Sequence, residues 1–579
     1  MARHGDYRFV IGARFLKRFS LEPEVPLSLL SSRLPFCNVG VRSDEPTEGC
    51  TKIAVGMKSL RRTRATAGRE SARTASNGVD HEAGVGVELG REHMLSNGHG
   101  GPQRRFSPGA ALVGVLGAAV LTYNFGSRLL ITNDDTRFPV LARDALTNGH
   151  WLIPAMPDGR PHIVKPPLAA WLIALASWPE GHVSARAAVL PSLLAAIGVV
   201  LLTYWLARRL FGPSAGAVAG LTVATMVGMY TMAHSPMPDM LQLLAGTGAI
   251  AVYVASGFGA APTMLVLFYT VIGLGSLAKG APGFVPLAVA ILDAFIAEGL
   301  AGLKRLVSLP GWIVLAAIAV PWWIAAAVFV GYGRFVSEYM LADQGRYFVR
   351  SGRPDWWASA AALGFAVTVL LPWGVLLPLA VRRAVRERDP DTQRRVRLLL
   401  VWLTTVFVIM AVSGQQRERY YLPLCPVAAL LIGWWYSTLA WRWRARAFVG
   451  AWAAVVVVGA VVVTLDTPRY NATTNLRTVR AVLPSSPTRV FALDLQDLAL
   501  SFNLDRPVVN CKNYQSCEER VRNGEGRYVL ISDRMLEQQP AGTCLRPVAT
   551  GLVTRRPFTV LDPTLCPQAG SAASGESPG

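Results

Sequence analysis

Charge is scarce in this chain. Asp, Glu, Lys and Arg make up only 16% of its 579 residues, against roughly 25% in soluble domains. That shortage excludes an ordinary water-soluble globular protein. Hydrophobic residues reach 52%. Acidic residues are the scarcer sign, 37 against 57 Lys and Arg, for a net charge of +20. A basic excess can serve nucleic acid, but no basic segment carries the interleaved aromatics that stack on bases. No nucleic-acid partner is expected. Basic cytoplasmic loops and attraction to anionic lipid account for the excess. Histidine is rare, with eight residues. His162 and His234 lack the paired spacing of a metal site, so no metal and no other cofactor is expected.

The seven cysteines are unevenly placed. Cys37 and Cys50 lie near the start, and Cys425 lies in an apolar run. Cys511, Cys517, Cys544 and Cys566 share the tail. An even set in one soluble segment points to disulfides and an oxidising compartment. Three pairings, or four separate thiols, remain open.

Residues 1–105 show no sustained hydrophobic period and are rich in Arg, Ser and Gly. They read as a disordered, basic, cytoplasmic segment, with Met57 and Met94 as alternative starts. Eleven apolar spans follow, at 108–130, 187–206, 214–233, 239–256, 262–278, 281–298, 310–330, 357–380, 397–412, 421–440 and 447–465. A span needs about 20 apolar residues, so residues 106–465 read as an all-α polytopic membrane domain. With the start inside, the cytoplasmic loops carry Arg208-Arg209, Lys304-Arg305, the arginines from Arg382 to Arg397, and Arg442, Arg444 and Arg446. This obeys the positive-inside rule. It also puts the cysteine-bearing tail outside.

In the outer loops, Phe138, Leu141, Ala142, Ala145 and Leu146 recur at helical spacing, and 168–178 is apolar but too short to span. Both read as interfacial helices, and the loop 331–356 has a similar mixed face. The tail at 466–567 alternates strand-like runs (488–493, 528–532) with helical ones (497–504, 517–523). It reads as a small α/β domain, followed by a disordered end at 568–579.

Ionisable residues beside a membrane are costly and point to function. The outer loops hold Asp134, Asp135, Arg137, Lys165, Asp239, Lys279, Asp343, Arg346, Arg417 and Arg419. Such a set suits transfer of a group from a phosphate carrier. The leaving phosphate needs positive charge rather than a protonating acid, while the acceptor hydroxyl needs a base. Other readings exist for single residues. Asp134 or Asp135 could cap a helix starting near Thr136, and Asp239 could cap its span. Lys165 could snorkel. Arg417 and Arg419 could be ordinary loop charges. Tyr420, Tyr421, Trp434 and Trp435 could be interface aromatics.

Several motifs carry a resemblance. Asp134-Asp135-Thr136-Arg137-Phe138 resembles the Asp-Glu-x-Arg-Tyr signature of lipid-dependent glycosyltransferases of the GT-C fold. That group includes aminoarabinose transferases of lipid A and protein O-mannosyltransferases. Lys165-Pro166-Pro167-Leu168, Asp239 in Pro-Asp-Met-Leu, and Leu277-Ala278-Lys279-Gly280 match further motifs of the group. So does Ser413-Gly414 followed by Arg419-Tyr420-Tyr421-Leu422-Pro423. The order holds from about 108 to 440. The resemblance implies a general base at Asp134, with Asp135 and Asp239 as further acids of the cavity. It implies a carrier-phosphate cation at Lys165 and, more loosely, at Arg346. Arg137, Lys279, Arg419 and Tyr420 would complete substrate binding. The chain departs from the group at Asp135, at Val164 before the Lys-Pro-Pro motif, and at Asp343, where a histidine is frequent. The group's Glu at the position of Val164 and its His at the position of Asp343 can hold a metal in the aminoarabinose branch, and the loss of both argues against that metal here.

The expectation is an inner-membrane enzyme moving a sugar from a polyprenyl-phosphate carrier to a glycolipid, polysaccharide or protein acceptor on the extracytoplasmic side. A lipid-linked-sugar flippase and a non-catalytic assembly subunit are the alternatives.

Overall fold

The computed structural model describes residues 108–345, 356–413, 416–484, 488–539 and 545–562. The basic segment 1–105, Arg346, Cys544, Cys566 and the end at 568–579 lie outside the described residues. The chain is a multi-pass membrane protein with a mixed α/β domain at its C-terminal side.

The membrane domain follows the apolar runs. Its helices are α1 (Pro108–Thr122), α2 (Asn133–Asn148), α3 (Leu168–Ser177), α4 (Ala185–Phe211), α5 (Pro213–Ala224), α6 (Val227–Ala233), α7 (Pro238–Ala255) and α8 (Pro262–Lys279). They continue as α9 (Val285–Arg305), α10 (Leu309–Val330), α11 (Trp356–Leu370), α12 (Leu377–Val385), α13 (Pro390–Val412), α14 (Leu424–Ser437) and α15 (Arg444–Asn471). Seven helices among the described residues are long and apolar enough to cross a membrane, or nine if each of two bent pairs is one span. The other two predicted spans fall on α1 and α14, which are apolar but shorter, with 15 and 14 residues.

The bent pairs are α5 with α6, at 58°, and the second half of α11 with the segment ending in α12, at 106°. Helix breaks free backbone groups that a membrane interior cannot satisfy. Here the two breaks satisfy each other. The Val227 amide donates to the Leu371 carbonyl at 2.9 Å, and the Trp373 indole donates to Thr225 Oγ1 at 2.8 Å. Gly228 permits the approach, because a Cβ there would sit 2.8 Å from the Val369 side chain. No charged residue lies at either break, where the chain reads Ala-Thr-Met-Val and Leu-Leu-Pro-Trp.

Helix α14 sits in the bundle core. Leu424 to Trp434 are all buried, and a Cβ at Gly433 would meet the Ala215 carbonyl at 2.6 Å. Tyr420, Tyr421 and Trp434 are therefore packed in the core, which corrects their reading as membrane-interface aromatics. The loop after α10 forms a turn at Tyr332–Arg334 and a π-helix at Phe335–Gly345.

Past α15 come α16 (Arg477–Val482), β1 (Val490–Leu493), α17 (Asp497–Asn503), β2 (Val508–Asn510), α18 (Tyr514–Arg522), β3 (Tyr528–Ser532), α19 (Asp533–Leu536), β4 (Arg546–Val553) and β5 (Arg556–Asp562). The five-stranded sheet has the order β2-β1-β3-β5-β4. The first three strands are parallel, and β5 runs antiparallel to both β3 and β4. β1 and β3 are buried throughout, with a hydrophobic cluster on each face, as strands covered on both sides require. Cys511 and Cys517 are joined by a disulfide.

Candidate active site

Helix α2 carries the acidic pair. Its N-cap is Thr132, whose hydroxyl oxygen accepts from the Asp135 amide at 3.1 Å. The Thr132 hydroxyl in turn donates to an Asp135 carboxylate oxygen at 2.7 Å, and Ser235 Oγ donates to the other oxygen at 2.9 Å. Neither aspartate is the cap, which corrects the capping reading of the sequence. Asp135 holds α2 to the link between α6 and α7.

Asp134 faces a different set of groups. Arg137 Nη2 lies 3.2 Å from its Oδ1, while Arg417 Nη1 at 2.5 Å and Arg419 Nη1 at 3.2 Å bond its Oδ2. Burial would raise this carboxyl. Arg419, Arg137 and Arg417 together outweigh that and hold it below the usual carboxylate range. Arg417 makes the shortest of these contacts, although its sequence context also read as an ordinary loop charge.

Asp239 lies in the first turn of α7, after Met237 as N-cap and Pro238. It therefore does not cap the helix. Its Oδ1 accepts from Lys279 Nζ at 2.7 Å, and both side chains are nearly inaccessible, at 3% and 5% exposure. Lys279 is placed by the last turn of α8, and its ammonium stands 4.6 Å from the Tyr420 ring centroid. Arg419 links the two acids, since its Nε lies 4.0 Å from Asp239 while its Nη1 bonds Asp134. Its guanidinium is also 5.5 Å from the Tyr420 ring centroid. Burial works against the Arg419 charge, but Asp239, Tyr420 and Asp134 raise its pKa.

Lys165 precedes the Pro-Pro step that starts α3, and it is buried in an ion pair with Asp343 from the π-helix. Burial lowers its ammonium, opposed by the Asp343 carboxylate, and Tyr420 and Lys279 are close enough to act on it electrostatically. His162 is buried nearby, and burial, then Arg137 and Lys165, push its imidazole down to about 3. Its Nε2 has no hydrogen-bond partner among the described residues. No group of three or more His, Cys, Asp or Glu side chains that could hold a metal ion occurs among them.

The structure thus gathers Asp134, Asp135, Arg137, Lys165, Asp239, Lys279, Arg419 and Tyr420 at one end of the bundle. Sequence reasoning missed Ser235 and the Lys165–Asp343 pair. Asp343 had stood out as an outer-loop charge and as a departure from a motif, but not as the partner of Lys165. A Ser-Pro turn just before Pro238 was the one available signal for Ser235.

This architecture is an ArnT-like fold, and parts of the chain are similar to glycosyltransferases that use lipid-phosphate sugars. Residues 164–342 match the family model described as dolichyl-phosphate-mannose-protein mannosyltransferase. The structure is similar to the crystal structure of ArnT from Cupriavidus metallidurans bound to undecaprenyl phosphate. The TM-score is 0.63 at 18% identity, covering 79% of this chain and 98% of that one. Over 324 residues the chain is 29% identical to the undecaprenyl phosphate-alpha-4-amino-4-deoxy-L-arabinose arabinosyl transferase of Edwardsiella ictaluri, covering 53% of this chain and 56% of the relative. Over 366 residues it is 26% identical to the enzyme of the same name from Pectobacterium atrosepticum, covering 60% and 63%. The chain therefore spans somewhat more than half the length of these relatives.

Proposed function

We propose that this protein transfers a sugar from a polyprenyl-phosphate carrier to an acceptor on the extracytoplasmic side of a bacterial cytoplasmic membrane. The observation that carries the reading is the continuous chain of charge from Asp134 through Arg419 to Asp239, Lys279 and Tyr420. Lys165 stands beside it. The acceptor oxygen attacks the anomeric carbon, the bond from that carbon to the phosphate oxygen breaks, and the electron pair leaves with the phosphate. Lys165, joined by Arg419 and Arg137, neutralises the departing anion. Arg346 takes the same duty. A single displacement inverts the anomeric centre.

Asp134 receives the acceptor proton. Its lowered pKa makes it a weak base at rest. The hydroxyl becomes acidic only as its bond to the anomeric carbon forms, so a weak carboxylate base suffices late in the step. Asp135 and Asp239 fix the surrounding loops and cations. The cations also suit an anionic acceptor, which needs no base, and a glycolipid phosphate is one such acceptor. The relatives named for aminoarabinose transfer support the lipid-phosphate donor.

Sugar release from a radiolabelled undecaprenyl-phosphate sugar by purified protein tests the reading. An enzyme consumes the carrier bond in micelles. A flippase only moves intact donor across vesicles, and an assembly subunit does neither. The charged groups lie at helix ends away from the two helix breaks, whereas a transporter forms its site at broken helices.

A further inference from the structure

Helix α2 is held from both ends by the C-terminal domain. At its start, the Asn133 amide donates to Gln496 Oε1 at 3.0 Å, and Asn133 Nδ2 donates to Asp497 Oδ1 at 2.9 Å. In return, Asn133 Oδ1 accepts from the amides of Leu498 and Ala499 at 3.1 and 3.3 Å. Just before α2, the Leu130 carbonyl accepts from Asn503 Nδ2 at 2.7 Å. Nearly three turns further along, Arg143 donates to the Ser501 carbonyl at 3.0 Å and to Ser501 Oγ at 2.9 Å, and pairs with Asp505 at 3.0 Å. Every partner in the C-terminal domain lies on or beside α17. α17 is tied to the sheet separately, through Leu500 in the hydrophobic cluster on one sheet face.

Asn133 is the residue before Asp134. With its side chain and amide both engaged, the backbone that aims Asp134 is fixed by the C-terminal domain from one side and by Ser235 through Asp135 from the other. We infer that the C-terminal domain is a working part of the active site, with Asn133 and Asp497 as positioning residues that set the place of Asp134. This rests on the role of Asp134 proposed above. An ordering task has a large effect on rate, because a displacement of about 1 Å at a reacting group can cost about a hundredfold. Lys165, the main carrier-phosphate cation of the proposed function, pairs with Asp343 and not with α2, so donor binding is expected to depend on this contact less than turnover does.

The test uses the full-length protein in lipid nanodiscs, with Asp497→Ala and Asp497→Asn. The asparagine keeps an oxygen that accepts from Asn133 Nδ2, and the alanine does not. Asp497→Ala is expected to lower kcat about tenfold while KM for the undecaprenyl-phosphate sugar stays within about twofold, and Asp497→Asn to restore kcat. Amide hydrogen exchange over residues 130–137 is expected to speed up about tenfold in Asp497→Ala only. An unchanged kcat in Asp497→Ala, or a parallel change in kcat and KM, overturns the inference. So does unaltered exchange in that segment, a readout that holds even if the wild-type protein transfers no sugar. Failure of the wild type to turn over would sink the proposed function, while the exchange result would still decide whether α17 orders the Asp134 segment.

Discussion

Removing Lys279 leaves Asp239 almost inaccessible with a single distant cation. The Asp239 carboxylate is 3% exposed, Lys279 Nζ is 2.7 Å away, and the next positive group, Arg419 Nε, is at 4.0 Å. Taking one partner from a buried ion pair costs about 3–5 kcal/mol, because the remaining charge is stranded without solvent. Lys279→Met keeps the length of the side chain and removes only the charge, so packing against Tyr420 is largely retained. Its predicted loss is about 3–5 kcal/mol, and Asp239→Leu is predicted to lose a similar amount. The double variant strands neither charge and is predicted to sit well above the sum, with a coupling of about 2 kcal/mol or more. Chemical unfolding of the four purified proteins in mixed micelles closes the cycle. Additive losses, or single losses under about 1 kcal/mol, would refute the view that this pair is desolvated and mutually dependent.

Other consequences follow from the same geometry. Lys165→Ala is expected to weaken carrier binding, whereas Asp343→Asn should tighten it, because the Asp343 carboxylate competes with a phosphate for Lys165. Titration of undecaprenyl phosphate against both variants checks this. The Asp134 carboxyl is held below its ordinary value by its arginines. Its ionised form, and the stability it brings, is complete above the ordinary carboxylate value and is lost only as pH falls through the depressed one. The acid limb of the rate profile should therefore lie below the ordinary carboxylate range, and Arg419→Gln should move it upward. Reducing the Cys511–Cys517 bridge opens a short loop, and its loss should cost the C-terminal domain about 2 kcal/mol by the chain-entropy relation. Unfolding curves with and without reductant read that directly.

Much of the bundle was visible in the sequence because apolar runs of spanning length have few other uses. The predicted spans at 239–256 and 262–278 fall within a residue or two of α7 and α8. The breaks at Thr225 and Leu371 were not visible, since apolar composition continues through both. The tail helix and strand at 497–503 and 528–532 were legible from their periods. β2 has only three residues, and β4 is largely exposed and carries Pro547 and Gly551, so neither gave an alternating signal. The acids and cations of the site stood out as charges at span ends. Their pairing did not, because Asp239 and Lys279 are 40 positions apart and Lys165 and Asp343 are 178 apart. Only helix packing brings such pairs together. Asn133 had no signal at all, since its partners belong to a domain more than 350 residues later.

Asp134→Asn in purified, membrane-inserted protein bears most directly on the account. The amide is nearly the same size and can still accept hydrogen bonds from the surrounding arginines, yet it cannot take a proton. Transfer from a radiolabelled undecaprenyl-phosphate sugar should fall by about a hundredfold or more with donor affinity intact. Near-normal turnover would contradict the assignment of Asp134 as the group that receives the acceptor proton.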